Sequence, residues 1–171
     1  MRDRIFEAFL RRQYEEGMAL ASESDLLELR PQAGNPPWAY VAVFRAKGLV
    51  RAGDGVAEGN CFSVGVAFPQ DYLRRAETFE VVTWLGPMNV FHPNIAETAP
   101  FMCLGRLAPG TRLTEILYRC HEIITYQKVT MAEGDALNKE ACAWAREHPE
   151  RLPVDTRPLK RRVIAFEVTP E

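Results

Sequence analysis

Hydrophobic residues change their spacing along this chain, and that change constrains the fold more than any other feature of the sequence. Between about residues 25 and 85 they fall in short runs rich in β-branched and aromatic side chains, which is typical of strands. Before this region and after residue 110 they recur every three or four positions, which is typical of amphipathic helices. Strands grouped together and helices grouped together predict an α+β fold.

The strands are predicted to form a four-stranded antiparallel meander. The strand-like runs are DLLELR (25–30), which stops at the turn-rich PQAGNPP, then WAYVAVFRAKGLV (38–50), CFSVGVAF (61–68) and TFEVVTWL (78–85). Between the second and third runs, Asp54-Gly55 indicates a hairpin turn.

Helices are predicted before and after the strands in the chain. The first covers residues 4–21, and its apolar side is formed by Ile5, Phe6, Phe9 and Leu10. After the strands, a strongly amphipathic helix is predicted over about residues 111–128, with Thr111 as a reasonable N-cap. Another helix is predicted within DALNKEACAWAREH (135–148), and the tail LKRRVIAFEVTPE (159–171) is expected to be an extra strand or a terminal arm.

Composition and charge exclude several functional classes. The 171 residues are 47% hydrophobic and 26% charged, which suits one globular domain with a buried core. The formal net charge of -2 gives no reason to expect a nucleic-acid or membrane partner. No apolar run approaches the roughly 18–20 residues that cross a bilayer, and the charged N-terminal stretch is unlike a secretory signal, so we expect a cytoplasmic protein.

The four cysteines are widely spaced along the chain. This spacing favours free thiols over disulfides and matches no zinc-binding pattern, so no metal and no cofactor are expected. Cys120 and Cys142 fall on the apolar faces of predicted helices and are expected in the core. His121 is expected to be a structural histidine.

One stretch, VFHPNIAETAPFMCLGRL (90–107), combines a His-Pro-Asn triplet with a single cysteine, Cys103. A lone cysteine between Met102 and Leu104 is, by itself, more often a small buried hydrophobe than a nucleophile. His92 is also a candidate general base of a Cys–His hydrolase, but the sequence offers no third residue that would orient it. Local sequence alone leaves these interpretations open.

Four segments in order, FSVGVAFPQDYL (62–73), VFHPNI (90–95), CL (103–104) and LNKEACAW (137–144), resemble ubiquitin-conjugating enzymes. The resemblance runs from the first helix to about Pro153, and it is greatest to divergent bacterial members of ubiquitin-like conjugation operons linked to phage defence. It implies the fold of that family over residues 1–155, with two C-terminal helices, and a C-terminal extension over residues 156–171. It also implies three partners, namely a ubiquitin-like protein, its activating enzyme and a target protein that supplies an amine.

The same resemblance implies roles for individual residues. Cys103 would carry the ubiquitin-like protein as a thioester, since a thiolate is a strong nucleophile. Asn94 would donate a hydrogen bond to the oxyanion formed during transfer, or would shape the loop that supplies such a donor. His92 would anchor the turn, and Pro93 would restrict the residue before it to an extended conformation.

Further roles are implied outside the triplet. Asp135 would orient the incoming lysine and favour loss of its proton, although an aspartate near a helix start is also a common cap. Arg4, Arg11 and Arg12 lie where the family meets its activating enzyme; the alternative for these arginines is a solvated helix face.

The sequence also departs from the family pattern. The segment from Asn94 to Cys103 is one residue longer than usual, and the chain between Tyr72 and His92 is several residues longer. The prolines that usually follow the tyrosine are absent from YLRRAETF (72–79), and LAPGTRL (107–113) replaces the usual Trp-Ser-Pro loop. These loops normally bind ligases, so dependence on a RING-type ligase is in doubt. The alternative function is a non-catalytic binding module that scaffolds a ubiquitin-like protein or its activating enzyme.

Overall fold

The computed structural model describes residues 3–163. Its helices and strands, in chain order, are α1 (Arg4–Ser22), β1 (Leu27–Gly34), β2 (Pro37–Phe44), β3 (Gly48–Ala52), β4 (Gly55–Gly59), β5 (Phe62–Ala67), α2 (Thr78–Val81), β6 (Val82–Gly86), α3 (Leu113–Ile124) and α4 (Lys139–Glu147). Short 3₁₀ helices cover Glu133–Asp135 and Pro149–Arg151. No helix within residues 3–163 is both long and apolar enough to cross a membrane.

The predicted four-stranded antiparallel sheet is confirmed, in the order β1-β2-β5-β6. Alternate residues of β5 are buried, as expected when one face of a sheet covers the core. The main core joins this inner face to α1 and α3 and includes Leu10, Tyr40, Val64 and Ile116. A smaller second core, built from Leu49, Phe91, Tyr126, Ala141 and Ala145, joins β3, the His-Pro-Asn segment and α4.

The predicted strand over residues 38–50 is wrong as a single element. It forms two strands in different sheets, since β2 pairs with β1 and β5 whereas β3 pairs only with β4 among the described strands. The chain turns between them where the N–H of Lys47 donates to the Asp155 carboxylate (2.8 Å). The predicted hairpin is confirmed, but its turn is Gly53-Asp54 because Gly53, with φ of 58°, takes the left-handed conformation that such turns require at their first position.

Two other strand boundaries differ from the prediction. Strand β1 continues through Pro31 to Gly34 with irregular register. It is an edge strand of the sheet, where a proline is tolerated. The run over residues 78–85 begins as the short helix α2, and its strand starts only at Val82. A short apolar run contains too few residues to show a helical or a strand-like period, so the sequence could not distinguish a helix from a strand here.

The first helix is confirmed, but its buried side differs from the prediction. Ile5 is 72% exposed, whereas Phe6 and Leu10 are buried. Gln13 is also buried on this side, and its Oε1 accepts a hydrogen bond from the N–H of Leu113 (2.8 Å). This bond satisfies the first turn of α3, so Thr111 is not the N-cap; its hydroxyl donates to the Ala108 carbonyl instead (2.7 Å).

The last helix begins later than predicted, at Lys139, because Asn138 is its N-cap and accepts a hydrogen bond from the N–H of Ala141 (2.9 Å). The interpretation of Asp135 as the cap of this helix is therefore wrong. Asp135 belongs to the separate 3₁₀ helix Glu133–Asp135.

The predicted C-terminal strand or arm lies partly outside the described residues, since residues 164–171 are not among them. Within the described part, Leu159 is buried in the main core, and the N–H of Arg161 donates to the Glu23 carbonyl at the end of α1 (2.9 Å). A domain boundary between residues 155 and 156 stays a prediction.

Candidate active site

A short hairpin-like segment, which we call the site loop (residues 92–103), carries both the His-Pro-Asn triplet and Cys103. The N–H of Cys103 donates to the Asn94 carbonyl (2.8 Å), and the N–H of Ala96 donates to the Phe101 carbonyl (2.9 Å). Ile95 and Met102 form a β-bridge between these two bonds. The pairing places Asn94 opposite Cys103, so the length of the intervening segment does not separate them.

The side chain of Asn94 makes two further hydrogen bonds, one within the site loop and one outside it. Its Nδ2 donates to the Cys103 carbonyl (3.3 Å), and its Oδ1 accepts from the N–H of Thr130 (3.0 Å). The amide thus links Cys103 to the segment that follows α3. An amide nitrogen carries two hydrogens, so a second donor remains beside the bond to Cys103.

Cys103 is half-buried at the edge of a shallow, open depression, unlike Cys120 and Cys142, which are fully buried as expected. The depression lies between the site loop and residues 127–130. The side chain of Lys128 belongs to this lining and pairs with Glu122 (2.7 Å). A thiol in this position can meet a large partner from solvent while Met102 and Leu104 on either side stay in the core.

His92 is buried and does not line the depression beside Cys103. It is 1% exposed, its ring packs on Tyr126 with 4.2 Å between ring centroids, and its Nδ1 accepts a hydrogen bond from the N–H of Asn94 (3.0 Å). An accepting Nδ1 places the ring proton on Nε2. Burial lowers the pKa of His92 to about 3, and the backbone of Ile123 offsets only part of that effect. His92 therefore holds the turn as a neutral ring.

The carbonyl of Pro93 joins the triplet to the region before α4. It accepts hydrogen bonds from the N–H groups of Leu137 (2.8 Å) and Asn138 (3.2 Å). Asp135 lies two residues before Leu137 and is exposed, but it does not line the depression beside Cys103. The fold thus brings the backbone just after Asp135 to the triplet, but the carboxylate of Asp135 does not line the depression beside Cys103.

Arg4, Arg11 and Arg12 are exposed on α1. Arg12 pairs with Glu16 four residues later (2.7 Å). Within residues 3–163 none of the three arginines makes a hydrogen bond or ion pair with the site loop, and none lines the depression beside Cys103.

Sequence reasoning missed several residues that build the site. Tyr126 follows α3 in a left-handed conformation (φ 61°), and its hydroxyl donates to the Phe91 carbonyl. Thr130 contributes only its backbone N–H, which no side-chain pattern could signal. Arg51, on β3, contacts a carboxylate of the site loop from a strand far along the chain.

Comparison with known proteins supports the architecture described above. No protein-family model matches this sequence, and no curated protein matches it. Among solved structures, the chain is similar to human ubiquitin-conjugating enzyme E2 G1, with a TM-score of 0.51, 17% identity, and coverage of 69% of this chain and 93% of that chain. At this identity the likeness concerns the fold, and the chain has the fold of ubiquitin-conjugating enzymes.

Proposed function

We propose that this protein is a ubiquitin-like protein conjugating enzyme that uses Cys103 as its acceptor thiol. The observation that supports it most is the placement of a half-exposed cysteine directly opposite Asn94, on the fold of ubiquitin-conjugating enzymes. The Cys103 thiolate attacks the thioester on the activating enzyme and takes over the acyl group, releasing the enzyme's thiol. A target amine then attacks the new thioester, an amide bond forms, and the Cys103 thiol leaves.

Asn94 has two roles in this proposal. At rest, its amide holds the Cys103 carbonyl and the N–H of Thr130, which fixes the site loop. During amine attack, its Nδ2 stabilises the oxyanion, an effect worth roughly 2.7–4 kcal/mol for a comparable amide donor. His92 supports both roles by accepting the N–H of Asn94.

The remaining predicted residues act outside the immediate surroundings of the thiol. Asp135, exposed in its 3₁₀ helix, orients the lysine of an incoming target. Arg4, Arg11 and Arg12 present positive charge from α1 to the activating enzyme. Given the resemblance to bacterial conjugation operons, we further propose that the reaction takes place in the bacterial cytoplasm during antiphage defence.

A thiol hydrolase fits the site less well. Such an enzyme needs a histidine nitrogen that accepts the proton of the cysteine. The Nδ1 of His92 already accepts a backbone N–H, and the buried ring resists protonation. Neither nitrogen is thus suited to act as a base for Cys103.

A charging assay tests the proposed function. The protein is mixed with ATP and with the activating enzyme and ubiquitin-like protein encoded beside its gene, and the products are separated with and without reductant. We expect a heavier band that reductant removes, that disappears in Cys103→Ala, and that resists reductant in Cys103→Ser as an oxyester. Cys61→Ser is the matched control, because Cys61 is an exposed thiol far along the chain from the site loop.

The same assay separates the alternatives. If a demonstrably active activating enzyme gives no adduct on the folded protein, the non-catalytic binding module replaces our proposal. Release of a free C-terminus from a fluorogenic ubiquitin-like substrate would instead identify a hydrolase. Loss of plaque reduction in cells whose operon carries Cys103→Ala would support the defence role, and unchanged plaque reduction would contradict it.

A further inference from the structure

Strand β3 is joined directly to the chain that leads into the site loop. The N–H of Arg51 donates to the Asn89 carbonyl (2.7 Å), and the N–H of Phe91 donates to the Leu49 carbonyl (2.9 Å). Val50 and Val90 form a β-bridge between these bonds. The β3–β4 hairpin therefore extends as a paired surface up to the residue before His92.

The Arg51 side chain continues this connection beyond the backbone. Its Nη1 and Nη2 bind the two carboxylate oxygens of Glu140 at 3.0 and 2.8 Å, and Nη2 also donates to Glu97 Oε1 at 3.1 Å. Its guanidinium lies over the Phe91 ring, 5.0 Å from the centroid. One side chain thus joins the hairpin, the first turn of α4 and the tip of the site loop.

Arg51 forms a bidentate ion pair and stacks on an aromatic ring, so its orientation is more restricted than that of a simple surface ion pair. A planar guanidinium that binds one carboxylate with two nitrogens has a fixed orientation, and stacking on an aromatic ring restricts it further. The Arg51 side chain is 33% exposed, but those of Glu97 and Glu140 are 45% and 66% exposed, so solvent screens the charges and the restraint comes from the geometry of the contacts. The hydrogen bond from Arg51 lowers the pKa of Glu140.

Glu97 lies at the end of the site loop farthest from its base. The loop is held at its base by Asn94 and Cys103, and on one side the N–H of Trp84 donates to the Pro100 carbonyl (3.0 Å). Among the described ion pairs, the contact with Arg51 is the one that restrains the loop through Glu97. Because the two strands of the loop are paired, movement of the tip would be transmitted to the base of the loop and would displace Cys103. The side chain of Asn94 is anchored outside the loop by the N–H of Thr130, so such a displacement would change the alignment of Cys103 with this amide.

We propose that Arg51 is a positioning residue for Cys103: through Glu97 and Glu140 it fixes the site loop in the orientation needed for amine transfer. This inference rests on the proposed conjugating function. The transfer step depends on it more than loading does, since during transfer to a small amine the site loop alone must align the thioester with its oxyanion donor. A displacement of about 1 Å can slow such a step by up to roughly 10²-fold.

The test compares loading with single-turnover discharge to hydroxylamine for Arg51→Gln, Arg51→Lys, Glu97→Gln and Glu140→Gln. We expect Arg51→Gln to slow discharge at least about tenfold and loading less than about twofold, with partial recovery in Arg51→Lys, which keeps the charge but not the planar fork. Glu97→Gln should reproduce most of the loss, and adding it to Arg51→Gln should slow discharge no further. Arg30→Gln removes an exposed pair with Glu28 on β1 and serves as the matched control.

Amide hydrogen exchange supplies a readout that needs no cargo. Arg51→Gln should accelerate exchange of the N–H groups of Ala96 and Cys103 about tenfold, while those of Ile116 and Leu117 in α3 stay unchanged. Discharge of both Arg51→Gln and Glu97→Gln at the parent rate would overturn the inference. So would a loss shared equally by loading, discharge and melting temperature in Arg51→Gln alone, because that result indicates a purely structural residue.

Failure of the proposed function has a different signature. In that case the parent protein does not load at all, and the inference about transfer fails with it. The exchange measurement then still decides whether Arg51 holds the site loop. Unchanged protection of Ala96 and Cys103 in Arg51→Gln would overturn that part as well.

Discussion

Asn94 is held by hydrogen bonds from its backbone and its side chain, whereas the buried Nε2 of His92 has no hydrogen-bond partner among the described residues. The N–H of Asn94 is held by His92, and its side-chain amide is held between Cys103 and Thr130. A donor prepared in this way needs little rearrangement when negative charge develops beside the cysteine, which is the condition for efficient oxyanion stabilisation. The chemistry of the proposed function therefore depends on how individual residues, above all Asn94, are held beside Cys103.

Replacing Asn94 by alanine tests this role. We expect Asn94→Ala to slow amine transfer by roughly 10²–10³-fold, with a much smaller effect on loading, because the donor acts mainly on the transition state of transfer. Single-turnover discharge and loading rates give the two values. Asn60→Ala removes an exposed amide between β4 and β5 and should leave both rates unchanged. Equal losses in both steps would instead indicate that Asn94 mainly supports folding.

Contacts between helices and strands position the site loop, and two of these contacts lead to specific predictions about stability. Gln13 of α1 caps α3, and α3 in turn leads into the segment that binds Asn94. Strand β3 passes so close to the end of α3 that Gly48 has no room for a side chain. Both contacts join parts of the chain that are distant in sequence.

The cap on α3 is tested by Gln13→Ala. The N–H of Leu113 would lose its partner in a fully buried position, so we expect a decrease of about 1–3 kcal/mol in the free energy of unfolding. Urea denaturation measures the change. Gln32→Ala, at an exposed position of β1, should stay within about 0.5 kcal/mol of the parent. A parent-like Gln13→Ala would mean that water replaces the capping oxygen.

The close approach of β3 is tested by Gly48→Ala. An added Cβ would lie 2.7 Å from the Ile124 carbonyl oxygen and 2.7 Å from Phe62 Cζ, and one of these contacts is rigid backbone. We expect a loss of about 1–3 kcal/mol in unfolding free energy, measured in the same way. In Gly55→Ala the added Cβ meets nothing closer than 3.6 Å, so a change within about 0.5 kcal/mol is expected. Equal effects of both substitutions would show that the β3 approach is not tight.

At the scale of the whole molecule, buried histidines determine how stability depends on pH. Burial lowers the pKa of His92 to about 3 and also lowers that of His121, whereas both rings have a pKa of about 6.5 in the unfolded chain. Between these values the unfolded state binds more protons than the folded state. Stability is therefore full above about pH 6.5 and falls as the pH decreases, by up to about 1.4 kcal/mol per pH unit for His92, and His121 contributes a loss of the same sign.

Urea denaturation at pH 7.5 and pH 5 tests this dependence. We expect a clear loss of stability at pH 5, and a smaller loss in His92→Asn, which removes one of the two buried rings. Asp155 does not contribute to this interval. Although its burial acts in the opposite direction, hydrogen bonds from Arg157 and Lys47 lower its pKa to about 2, so its titration belongs to more acidic solutions. An unchanged pH dependence in His92→Asn would contradict the assignment.

Local patterns in the sequence determined the class of fold and most of its elements. The period of the apolar residues identified α1, α3 and α4, and a run of β-branched and aromatic residues identified β5. The dipeptide Asp54-Gly55 identified the β3–β4 hairpin, although its turn lies one residue earlier, at Gly53-Asp54. All of these signals arise from neighbours in the chain. The same applies to the candidate residues. His92, Asn94 and Cys103 lie within one short segment, and the sequence placed all three in one site loop.

Contacts over long sequence separations decided the rest. Gln13 caps a helix 100 residues away, and Arg51 binds carboxylates 46 and 89 residues away. The same kind of contact divides residues 38–50 between two sheets and makes Asn138, not Asp135, the residue that caps α4. No local pattern encodes which distant groups become neighbours. Side-chain chemistry was therefore readable from the sequence, whereas the partners that satisfy it were fixed only when the chain packed.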